Sequence, residues 1–476
     1  MTIINQNKLL VDIPMWEQLP FAPAIGIAGT CMVDDDRENI YVYFQTSATA
    51  AQFWRFDTFA SQWQQLATPP TQTGTVANME YVNVSGGQFN GKTFGSVYLF
   101  NGNGTTCYFY RYDIATNTWS ANLGTTGIPA NFATDCYLLG LSPRKNNFEG
   151  TYHTGVTRTV TTSGAGAVGA TSLAVTATAE AMPSGTRLRF GTFNITLSAP
   201  ALKGATSLTV TALPNGLAAG TVIELPSGVD IIVSAATSAS ATTLPVYPIQ
   251  QGIANGTVIT VNKYVVLTAA AAASAVSLTV APLLYTIGSG DASFYYGNMY
   301  LIGNNATQMY RYNLGSNTWA TTSANSANPA LPAVTGACGA GCAIKWQTAY
   351  DPNKLTIIRG NATASVYQYD LVANTMATLT IQPATETFTT GSSVAARTIG
   401  GKRGKLLIQK DGTTRIYEFD PKQCNMSNKM TQFLYPPSTA VVGDKSCCVT
   451  SPDGIEYYYN LLHSSTAFVR CAMIDS

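Results

Sequence analysis

A chain of 476 residues of which 46% are hydrophobic can bury a core in each of two or three domains, which excludes disorder as the default state. Only 11% of the residues are charged and the net charge is +1, so no global field steers nucleic acid or an acidic substrate. Hydroxyls and amides must make up most of the polar surface, and no nucleic-acid specificity is expected.

The opening stretch, Met1 to Pro20, carries Lys8, Asp12 and Glu17 among its apolar residues and so lacks the uninterrupted core of a secretory signal. Synthesis in a cytoplasm is the expectation. No apolar run reaches the roughly 20 residues that span a bilayer. The longest candidate, Val265 to Val280, is Ala/Ser-rich and too short, so no membrane insertion is expected.

Taken in chain order, one unit returns. A strand candidate comes first: Ile40 to Phe44, Val97 to Phe100, Met299 to Ile302, Leu355 to Ile358 and Leu406 to Ile408. Then come two alternating aromatics, an Asp or Asn, a polar turn and often a Trp. The copies are Trp54-Arg55-Phe56-Asp57 leading to Trp63, Tyr110-Arg111-Tyr112-Asp113 leading to Trp119, and Tyr310-Arg311-Tyr312-Asn313 leading to Trp319. In Tyr367-Gln368-Tyr369-Asp370 and Tyr417-Glu418-Phe419-Asp420, Met376 and Met426 stand in the Trp position. Aromatics at period two describe a strand with one packed face, and the closing Asp or Asn can bond the turn that follows. Each unit is therefore a small antiparallel meander. Its anchors Trp54, Tyr110, Tyr310, Tyr367 and Tyr417 fall 56, 200, 57 and 50 residues apart.

A sixth unit runs through Cys448 to Thr450, Ile455 to Asn460 and Phe468 to Met473, with its outer strand missing. Leu9 to Leu19, with Trp16 in the Trp position, can supply that strand and remove the open sheet edges. A period near 50 residues, with strand, turn, Tyr-x-Tyr-Asp and Trp, resembles the blades of kelch-type β-propellers. The double Gly of such blades is replaced here by Asn-Gly, Gly-Asn or Asp-Gly. The expected fold is all-β: a six-bladed kelch-like β-propeller with an inserted all-β repeat domain. Residues 1–155 hold the closing strand, blades one and two and the start of blade three; 156–287 form the insert; 288–476 complete the ring.

The insert accounts for the interval of 200. From Val156 to Ile287 the composition shifts to Ala, Thr, Gly, Ser and Val, and a second repeat appears: Gly169-Ala170-Thr171-Ser172-Leu173, Gly204-Ala205-Thr206-Ser207-Leu208, Ser240-Ala241-Thr242-Thr243-Leu244 and Ala275-Val276-Ser277-Leu278. Their leucines lie 35, 36 and 34 residues apart. Alternation of Leu or Val with Thr or Ser predicts short half-buried strands. The pattern resembles modules in neck, tail and other virion proteins of tailed bacteriophages. That resemblance implies a virion structural protein, located in the particle, homo-oligomeric there and partnered by other virion proteins. A glycan- or receptor-binding propeller using aromatics such as Trp346 and Tyr457-Tyr458-Tyr459, with a host-surface glycan as partner, is the alternative, and a carbohydrate-active enzyme comes third.

Chemistry offers little to set against the scaffold. With only His153 and His463, and nine scattered cysteines, no metal site is read, and no catalytic or cofactor-binding residues are assigned. Cys31, Cys136, Cys342 and Cys448 each open an apolar run and read as equivalent buried positions of successive blades. Asp34-Asp35-Asp36 with Glu38 reads as a solvated turn, and Gly401-Lys402-Arg403-Gly404-Lys405 as a solvated hairpin turn. Arg55, Arg111 and Arg311 recur at one position of the unit and read as packing between blades.

Overall fold

The computed structural model describes residues 16–27, 29–35, 39–70, 76–82, 88–89, 92–93, 96–102, 104–114, 116–124, 128, 132, 136–140, 158–178, 182, 187–217, 221–224, 230–249, 252–295, 298–313, 318–320, 331–346, 354–371, 373–381, 387–389, 392–397, 405–410, 413, 415–428, 445–450, 455–462 and 465–473. Six four-stranded antiparallel sheets follow the aromatic repeat. Written from inner to outer strand, blade one is Cys31–Asp34, Asn39–Ser47, Ala50–Asp57 and Gln62–Gln65, and blade two is Val76–Val82, Ser96–Gly102, Cys107–Asp113 and Thr118–Trp119. Blade three is Cys136–Gly140, Asn298–Gly303, Tyr310–Asn313 and Thr318–Ala320, and blade four is Ala343–Trp346, Lys354–Ile358, Val366–Asp370 and Thr375–Leu379. Blade five is Ser393–Ala396, Leu406–Gln409, Ile416–Asp420 and Asn425–Asn428. Blade six takes Lys445–Thr450, Glu456–Leu461 and Phe468–Ala472 from the end of the chain and its outer strand, Trp16–Gln18, from the beginning. Inner strands touch their neighbours in this order, and the last touches the first, so the protein is a closed six-bladed β-propeller.

The repeat explains how blades stack. Trp63, Trp119, Trp319, Met376, Met426 and Trp16 all pair with the aromatic, or Cys471, that follows the repeat's central residue in the third strand. Each outer-strand side chain then meets the third strand of the preceding blade. Phe53 lies 5.0 Å from Trp119, Phe109 5.0 Å from Trp319 and Phe468 5.2 Å from Trp63, centroid to centroid. Second strands repeat the relation one layer further in, with Tyr41 against Tyr112, Tyr98 against Tyr312, Tyr300 against Tyr369 and Tyr459 against Phe56. Edge-to-face and tilted packing of this kind adds to the large area each ring removes from water. Trp16 thus does what the sequence assigns to it, while residues 1–15 lie outside the described ones.

Turns obey the same repeat. Asp57, Asp113, Asp370 and Asp420 each accept backbone N–H groups two or three residues on, through Oδ1. The residue that ends the turn is left-handed: Ser61, Asn117, Asn374 and Cys424 have φ between 51° and 55°. Asn tolerates that region, and the side chain of Asn117 also accepts from the Tyr112 hydroxyl at 2.8 Å and from the Ala67 N–H at 2.8 Å.

Between the inner and second strands of blade three the chain forms further strands, from Arg158–Thr161 to Ala292–Tyr295, that pair among themselves. The four repeat copies pair in a nested fashion. Leu173 of the first copy is opposite Leu278 of the fourth, and Leu208 of the second is opposite Leu244 of the third. All four leucines are fully buried, in two aliphatic clusters: one around Leu173, Leu188 and Leu278, the other around Leu208, Ile223 and Leu244. A long ribbon, Arg187–Thr196 against Val258–Val266, contributes Leu188 and Val265 to the first and Ile195 and Ile259 to the second. Its register shifts between Arg189 and Thr192, where Gly191 adopts φ 85°, a bulge that a side chain would strain.

Candidate functional face

Because every inner strand joins its second strand antiparallel at the same end of the ring, six connections share one face. Blade two adds a hairpin there, Gln88–Phe89 with Lys92–Thr93, and blade three adds the 158–295 unit. Gly140 is opposite Met299 in the blade three sheet, so the chain leaves and re-enters the blade at neighbouring points. This face also holds the acidic turn of blade one.

The acidic turn differs from expectation. Asp34 and Asp35 are buried, not solvated. Asp35 Oδ1 accepts the Asn39 N–H at 3.0 Å and Oδ2 accepts the Asn39 amide at 2.7 Å, while the Asp35 N–H donates to the Asn39 carbonyl at 3.0 Å. Held between two paired strands, the Asp35 carboxylate meets the backbone and side-chain donors of Asn39, so its role is to close the turn. Asp36 and Glu38 lie outside the described residues, as do Gly401 to Gly404 of the basic run, His153, His463 and the side chain of Trp346. Tyr458 and Tyr459 are buried, and half-buried Tyr457 lies under the Arg470 guanidinium at 4.5 Å. These tyrosines are packing residues and leave no open aromatic platform.

The recurring arginines sit in third strands, away from the axis, and face the next blade. Burial raises the phenol pKa values of Tyr112, Tyr312 and Tyr369, and the positive charges of Arg55, Arg111 and Arg311, respectively, act against that rise. Arg55 also donates to the Gln64 side chain. Cys31, Cys136, Cys342 and Cys448 are all buried at or beside inner strands, and no disulfide joins any two of the nine cysteines. Burial pushes Cys338 and Cys471 up to about 12, which makes them poor nucleophiles. Among the described residues no group of three His, Cys, Asp or Glu side chains is gathered as a metal ion needs.

A charged cluster not evident from the sequence pattern lies between blades five and six. Arg397 Nε donates to Glu456 Oε2 at 2.8 Å and its Nη1 donates to Glu418 Oε2 at 3.0 Å, with all three side chains buried. Lys405 Nζ adds contacts of 3.4 Å to Glu418 and 3.2 Å to Asp420. Burial alone would lower the Arg397 pKa, but Glu456 and Glu418 outweigh it and raise it. One signal was visible: Glu418 occupies the position that is Arg55, Arg111 and Arg311 elsewhere. Nearer the axis, the Tyr137 hydroxyl of blade three donates to the Val394 carbonyl of blade five at 3.2 Å, and Lys345 of blade four lies 4.7 Å from its ring centroid. With blade four between them, Tyr137 spans the axial side of the ring.

No family model and no curated protein matches the chain. Among solved structures it is similar to a triple mutant of AofleA from Arthrobotrys oligospora, at 10% identity and TM-score 0.41, covering 96% of this chain and 86% of that one. It is also similar to a structural genomics protein of unknown function from Bacteroides thetaiotaomicron, at 10% identity and TM-score 0.40, covering 96% and 76%. An alpha-L-arabinofuranosidase from Fusarium graminearum, in complex with an iminosugar inhibitor, matches at 7% identity and TM-score 0.40 over 96% of both chains. The strand pairing, and not these likenesses, defines the ring.

Proposed function

We propose that the protein is a structural component of a tailed-bacteriophage virion, in the neck, collar, nozzle or tail, where the ring is a platform and the 158–295 unit contacts a neighbouring virion protein. The observation that carries this reading is the placement of a two-lobed β-unit on one blade connection, with Val168, Leu202, Tyr247 and Val276 exposed on it. Exposed apolar side chains on a surface with few charges are suited to burial against another protein. The four-copy Gly-Ala-Thr-Ser-Leu repeat, which resembles modules of phage virion proteins, supplies the setting. A kelch-type ring belongs to the same proposal and rests on the Tyr-x-Tyr-Asp and Trp unit. Mass spectrometry of gradient-purified particles tests it. The protein is expected in the particle at fixed stoichiometry, and a chain lacking 158–295 is expected to be left out; finding the protein only in the particle-free fraction would overturn the reading.

A further inference from the structure

We propose that the ring has a built-in seam: blades five and six separate before any other pair of neighbours. Four of the six junctions bring aromatic rings of both blades into contact. Phe53 meets Tyr112 and Trp119, Phe109 meets Tyr312 and Trp319, Tyr300 meets Tyr369, and Phe468 meets Phe56 and Trp63. Val366 and Ile358 join Phe419 and Met426 in one cluster at the junction of blades four and five. Blades five and six differ. Where the second strands of blades one, two, three and six carry Tyr, blade five carries Leu407 and blade four Thr356, and where other third strands carry an aromatic, blade six carries Cys471; Leu407 and Cys471 share a cluster with Ala395, Ile416, Cys448, Tyr458 and Met473, against which Trp16 packs.

Polar groups fill the rest of that junction. Besides the Arg397, Glu418 and Glu456 cluster, Gln409 Oε1 accepts from the Tyr458 hydroxyl at 3.2 Å and from the Asn460 amide at 2.9 Å. Buried ion pairs return little net stability, because separation restores the hydration that burial removed, whereas each exposed aromatic loses its full transfer free energy. The junction is therefore specific in geometry and weak against parting.

The thiols report on this directly. Cys448 and Cys471 face the seam, whereas Cys447, the next residue to Cys448, packs with Ile40 and Phe56 on the blade one side, and Cys31 packs between blades one and two. The full-length protein is exposed to a maleimide under native conditions and the modified cysteines are located by mass spectrometry. Cys448 and Cys471 are expected to label at least tenfold faster than Cys447 and Cys31. Glu456→Gln is expected to accelerate only the first pair, again by tenfold or more. Equal labelling of all four thiols in the native protein, or earlier labelling of Cys31 or Cys447, would overturn the proposal. The native order decides the matter even if the variant fails to fold.

Discussion

The ring and the 158–295 unit are both made of repeats, yet they use them in opposite ways. In the ring each copy of the aromatic unit packs on the copies before and after it, and the last returns to the first through Trp16. In the insert the first copy pairs with the fourth and encloses the pair formed by the second and third. A repeat period identifies the building block; the pairing of blocks depends on what each block can bury. Aromatic rows on both faces of a blade demand two neighbours and close into a circle, while a three-residue strand with a single inward Leu is satisfied by one partner.

Tryptophan makes the comparison measurable, since all six lie outside 158–295 and their fluorescence reports on the ring alone. The largest expected effect is on the ring: Phe109→Ala removes a fully buried side chain between Tyr312 and Trp319 and should cost about 3–5 kcal/mol, seen as an earlier fluorescence transition in urea. Leu208→Ala should cost about 2–5 kcal/mol in the insert, lowering a calorimetric transition while leaving the tryptophan transition in place. If both transitions fell together, the two regions would be one cooperative unit. Gly191→Ala introduces a side chain that meets no neighbouring atom at a left-handed residue, so only backbone strain of about 1–2 kcal/mol should appear, confined to the insert transition. Smallest is Ser240→Gly. Ser240 has φ 67° where the first two copies have Gly169 and Gly204, and the change should stabilise the insert by up to about 1 kcal/mol in the same calorimetric scan.

Much of the ring was legible because period-two aromatics and Asp-capped turns act locally, and Trp16 could be placed by analogy with Trp63. Insert strands were legible for the same reason. Their nested pairing was not, because the four copies are nearly identical and nothing local in Leu208 distinguishes Leu244 from Leu173 as its partner. The buried cluster escaped because its parts obey different rules. Glu418 is a substitution within the repeat, but Arg397 and Glu456 lie on the two blades that flank the seam and meet only when blades five and six pack together. Asp34 and Asp35 look like solvent-facing turn acids until their burial, and the bonds of Asp35 to Asn39, are known.

Joining residue 140 to residue 298 by a short Gly-Ser turn tests most directly whether the protein is a closed six-bladed ring carrying a separable unit, since Gly140 and Met299 already face each other across the sheet. A closed ring with a separable unit predicts a monomer that keeps the tryptophan emission and urea midpoint of the full chain. A shortened chain that cannot fold, or unfolds at clearly lower urea, would contradict it.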